Sequence, residues 1–152
     1  MRYAILAALL LTGCGDPPPP ATPHDPTTDA SYRENVKNLA DMTRRANDFF
    51  LHGKADEASP LVQQGEDLSG QVLAVIHPTL EAMQAASDLD DLYARMLLSN
   101  RHYTWAQTFF QKNRARWKYW QPQTEDTARR MKIAEDGIAA CESGILKPGP
   151  TK

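Results

Sequence analysis

Residues 88–120 read DLDDLYARMLLSNRHYTWAQTFFQKNRARWKYW. Leu89, Met96, Tyr103, Phe110 and Trp117 recur at every seventh position, with Leu92 and Ala106 beside them. Seven residues are close to two helical turns, so these side chains form one stripe down one helix face, and no strand-like alternation is present. The spacing predicts a single helix over about 88–120, some 50 Å long at 1.5 Å per residue. Ser87-Asp88-Leu89-Asp90 supplies a capping signature at its start, and Gln121-Pro122 ends it. A helix with one narrow stripe needs helical neighbours.

Those neighbours are legible on both sides. Ser31-Tyr32-Arg33-Glu34 fits a capping box, and Val36, Leu39, Thr43, Ala46 and Phe50 repeat at three and four. Gly53 after His52 then reads as a stop, predicting a first helix over about 32–52. A second opens at Ser59-Pro60, with proline at the first helical position and a stripe of Leu61, Leu68, Val72, Val75 and Ile76. His77-Pro78 disfavours helical geometry before the proline, so a kink is expected there, followed by a short continuation through Leu80, Met83 and Ala86. Beyond Pro122, Thr124 caps a last helix with a stripe of Thr127, Met131, Ala134, Ile138, Cys141 and Ile145, and Gly144 before Ile145 reads as a left-handed cap. The expectation is an all-α fold over residues 31–147: an elongated antiparallel four-helix up-down bundle with a kinked second helix, and a disordered tail at 148–152.

Composition limits what such a bundle can do. The 152 residues carry 17 Lys+Arg and 19 Asp+Glu, a formal charge of −2, so no whole-protein field favours polyanions. An apolar content of 41% supports a packed core. Two cysteines are too few for a disulfide scaffold or a four-thiolate metal site. Gly65 to Gly70 has the spacing of a phosphate-binding loop, but Gln71-Val72 stands where Lys and Ser/Thr are required. No His-Glu-x-x-His, Cys-x-x-Cys or Gly-x-Ser-x-Gly occurs, and none of His52, His77 and His102 follows a glutamate by three as a di-iron bundle needs. No catalytic residues are assigned, and a non-catalytic binding or structural module is expected.

Met1 to Cys14 reads MRYAILAALLLTGC: one positive charge, an apolar run, then Leu11-Thr12-Gly13-Cys14. The run is well short of the roughly 20 residues of a spanning helix and is a short export signal. Leu-Thr-Gly-Cys resembles the lipobox of bacterial lipoproteins. That resemblance covers residues 1–14 only and implies removal of residues 1–13, lipid on the Cys14 sulfur, and residence in the bacterial cell envelope on the extracytoplasmic face of a membrane. Two or three acyl chains would make that anchoring effectively permanent. Residues 14–30 then form a linker in which Pro17, Pro18, Pro19, Pro20, Pro23 and Pro26 exclude a regular helix or central strand and favour an extended stalk.

One surface stands out. Seven aromatic residues, including every tryptophan, lie between Tyr103 and Trp120. Besides the core stripe, His102, Trp105, Phe109, Lys112, Arg116 and Trp120 fall on a second arc of the same helix. They are the candidate binding residues, for an envelope protein or an anionic glycan or lipid; export argues against nucleic acid. The competing explanation is that the helix is central and buries both arcs against different neighbours. A separate possibility is a haem- or metal-binding redox bundle, in which His77 or His102 pairs with Met42, Met83, Met96 or Met131. No metal ligand set and no cofactor is assigned. Cys141, on the last stripe, is expected to be a buried small apolar residue.

Overall fold

A computed structural model of the protein describes residues 24–146. The expected export signal and lipidation site at Cys14, most of the proline-rich linker and the tail lie outside the described residues. The described chain is all-helical: a 3-10 turn at Pro26–Thr28, then α1 (Ala30–Leu51), α2 (Ala55–Leu73), α3 (Leu80–Ser99), α4 (Tyr103–Tyr119) and α5 (Glu125–Leu146). Five helices therefore stand where four were expected.

The linker folds before it ends. Pro26 opens the 3-10 turn with its φ already set, and Asp25 caps it by accepting from the Thr27 N–H at 2.9 Å. The chain enters α1 directly from this turn, with Asp29 at the N-cap, so the Ser31–Glu34 capping box does not form. The α1 stripe is as spaced over most of its length: Val36, Leu39, Thr43 and Ala46 are buried, joined by Tyr32, while Phe50 is half-buried. Gly53 ends the helix at φ +72°, its N–H bonded to the Phe50 carbonyl and that of Lys54 to the Phe49 carbonyl. This is the paired hydrogen bonding of a Schellman cap.

Because that cap uses only Gly53 and Lys54 beyond the helix, α2 begins at Ala55, five residues before the expected first helical position, and Pro60 lies inside it. Its buried stripe is Ala58, Val62, Gly65, Ser69 and Val72, whereas Leu61 and Leu68 are half-buried and Ile76 is exposed. Small residues hold the centre because a Cβ on Gly65 would sit 3.0 Å from a Leu89 methyl. The expected kink at His77-Pro78 is a full break, and Thr79 caps a new helix by accepting from the Ala82 N–H at 3.2 Å.

That helix, α3, runs straight through Ser87–Asp90, so the capping signature there is mid-helix. Ser87 is instead buried, its hydroxyl accepting from the Trp117 indole N–H at 2.8 Å. The single helix expected over 88–120 is two. Arg101 adopts φ +62°, its N–H bonds the Leu98 carbonyl and that of His102 bonds the Leu97 carbonyl, and α4 turns back along α3. Thr124 does cap α5: its Oγ1 accepts from the Thr127 N–H at 3.2 Å while Thr127 Oγ1 accepts from the Thr124 N–H at 2.8 Å. Gly144 lies within α5 and is no cap.

Successive helices are antiparallel and α3 is shared between two cores. One joins α1, α2 and α3 around Leu39, Val72, Leu89 and Leu92. The other joins α3, α4 and α5 around Ala94, Phe110, Ile138 and Cys141. Neither α1 nor α2 packs its backbone against α4 or α5. No described helix is long and apolar enough to cross a membrane.

Candidate functional site

Helix α4 is built from two faces that meet different partners. Ala106, Phe110, Asn113 and Trp117 are buried. Along α5, Phe110 lies over Gly137 and Tyr103 over Gly144, each ring occupying the space a Cβ would need, and the Arg130 guanidinium lies 5.5 Å above the Trp117 ring. Rings seven apart on α4 thus meet residues seven apart on α5 in antiparallel register.

The second arc faces α3 for part of its length. Phe109 is half-buried against Tyr93, ring centroids 4.8 Å apart, with the Lys112 ammonium 5.8 Å from its centroid. Lys112 Nζ donates to Asp90 Oδ1 at 3.0 Å. Arg116, its side chain only 6% exposed, places Nη2 2.9 Å from Asp90 Oδ2, out of line for a hydrogen bond, and donates from Nη1 to Asn113 Oδ1. Asn113 in turn donates to the Ser87 carbonyl at 2.9 Å. Asp90, itself buried, is thereby neutralised by two cations. Nearby on α2, burial pushes the Glu66 carboxyl up, helped by the charge of Asp90 and opposed by Lys112.

The six candidate residues consequently separate into three groups. Phe109, Lys112 and Arg116 are brought together on Tyr93 and Asp90: Phe109 and Arg116 turn inward, while Lys112, its side chain 51% exposed, reaches Asp90 from the surface. His102 and Trp105 stand exposed at the start of α4, Trp105 at 67%. Trp120 caps the far end, half-buried and edge-on to Trp117 at 6.4 Å. Sequence reasoning missed Asp90 as the acceptor for both cations. No local signal marks it, because which cations it meets is set by the return of α4 along α3.

The remaining chemistry-bearing groups are dispersed. His77 is exposed between α2 and α3 and His102 between α3 and α4, at opposite ends of the molecule, while Met96 is buried and Met42, Met83 and Met131 are half-buried. Among the described residues no group of three His, Cys, Asp or Glu side chains is placed to hold a metal ion. Cys141 is a buried free thiol, pushed up chiefly by burial and further by Glu142. No family model, no curated protein and no solved structure matches this chain.

Proposed function

We propose that the protein is a bacterial envelope lipoprotein, exported by residues 1–13, acylated at Cys14 and held on its proline-rich linker, whose helical domain is a non-catalytic binding module. Trp105 carries this reading. An indole left 67% exposed on a helix that buries its other stripe forgoes about 2 kcal/mol of burial, which is what a contact surface for a partner does. His102 and part of Phe109 flank it. Because Lys112 and Arg116 are engaged by Asp90, recognition here is by rings rather than by free cations, which favours a partner protein over a polyanion.

The topology suits display. The chain enters α1 at the pole where Tyr32 and Thr79 meet, and Trp105 lies at the opposite pole, about 30 Å away along the 20 residues of α3. Two measurements test the proposal. Cys14→Ser should move the protein from the membrane to the soluble fraction. A photo-crosslinker at Thr104 should form an adduct in membranes that Trp105→Ala abolishes, with thermal stability changed by about 0.5 kcal/mol or less. Membrane retention by the serine variant removes the anchor, and an undiminished adduct removes the ring surface.

A further inference from the structure

Helices α1, α3 and α5 run in one direction, and α3 packs against both others while they do not pack against each other. The strip of α3 between them, from Glu81 to Arg95, is therefore uncovered for about 21 Å. At the Tyr32 end it forms a groove of about 620 Å³, and beyond Asp88 it continues to Asn47 and Arg95. Tyr32, Val36 and Ala40, each a turn apart, line its α1 wall, Ala40 exposed and the largely buried Tyr32 and Val36 showing only their edges, and the buried Ala85 lies opposite. Two alanines across a groove let another backbone approach closely.

Charge identifies what the groove accepts. Arg33 and Lys37, also one turn apart, line the same wall, and among the described residues neither has a carboxylate within ion-pair distance; Glu81, exposed at the start of α3, lines the groove from the other side and is likewise outside any ion pair. Arg130, across the groove, is held by Asp88 and Asp126. The floor is interrupted by the pairs Asp88–Arg130 and Asp91–Arg95. An acyl chain needs continuous apolar lining, because polar groups desolvated without partners are costly. A helix with mixed faces does not.

We propose that this groove seats an amphipathic helix of a partner protein, bearing two carboxylates one turn apart that meet Arg33 and Lys37 and an apolar face that meets Tyr32, Val36 and Ala40. The groove shares no residue with the Trp105 surface, so the two readings stand or fall separately. The probe is a helical 20-residue Ala/Leu-rich peptide with two glutamates one turn apart along one edge, compared with the same peptide carrying lysines there. Both are titrated into the purified protein and followed by amide chemical shifts. The glutamate peptide should shift residues 32–40 and bind at least ten-fold more tightly than the lysine peptide. Arg33→Glu/Lys37→Glu should reverse that preference, and Ala40→Trp, whose site is exposed, should abolish binding with helicity unchanged. Equal binding of both peptides overturns the proposal. So do shifts confined to α4, tighter occupation of the same residues by oleate, or self-association of the protein that Ala40→Trp removes.

Discussion

Arg101 holds a backbone conformation that a side chain disfavours by about 1 kcal/mol, and it does so at the residue that separates α3 from α4. Its side chain is exposed, so nothing in packing requires arginine there. Arg101→Gly should raise stability by roughly 0.5–1 kcal/mol, read as a higher midpoint in urea at constant slope. Gly53 does the same work at the end of α1 with the residue suited to it, which is why that stop was legible and the one at Arg101 was not. The heptad spacing itself concealed the break: Met96 to Tyr103 keeps the count of seven across residues 100–102. Asp90 presents a different problem. A carboxylate on an apolar stripe carries no label, and only the return of α4 shows that it receives Lys112 and Arg116.

Among the helices, the α4–α5 pair is matched ring to glycine. A Cβ on Gly137 would lie about 2.5 Å from three Phe110 ring carbons, whereas one on Gly70 in α2 would meet nothing within 4 Å. The same substitution should therefore act with opposite sign. Gly137→Ala should lose about 1–2 kcal/mol to overpacking despite its better helix propensity, and Gly70→Ala should gain about 0.5–1 kcal/mol. Thermal melts of the two variants decide it; equal shifts would mean that Phe110 swings aside freely. Gly144, which sits at the end of the stripe as a cap would, has its reason in Tyr103 on another helix. The α2 stripe was misplaced for a related cause: with large and small apolar residues on adjacent faces, the small face is the one that lets α2 approach α3.

For the molecule as a whole, the second core is tied to α3 partly by charge. Asp126 accepts from Arg130, Arg129 and Gln84, and Arg130 also reaches Asp88. The Arg130 and then the Arg129 hydrogen bonds hold the Asp126 carboxyl at about 2, below its ordinary 3.8. A depressed carboxyl contributes stability that is complete above its unfolded value and is lost on acidification through the folded one. The loss thus falls between about pH 4 and pH 2. Its size should be about 1 kcal/mol or less, because Asp126 is 38% exposed and screened. Asp126→Asn should flatten the dependence of stability on pH in that window, and an unchanged acid limb would show that the contact is not maintained in solution. Helical class, the α1 stripe, the α5 stripe at Thr127, Ala134, Ile138 and Cys141 though not at the exposed Ile145, and the cap at Thr124 were readable from spacing, because periodicity and capping are local properties of the chain. That α3 is shared by two cores, that Lys112 and Arg116 pair with Asp90, and that α1 and α5 stand apart over an open groove depend on which faces meet after the chain reverses at Arg101. No local pattern encodes that meeting, since it is set by contacts between residues twenty to fifty positions apart.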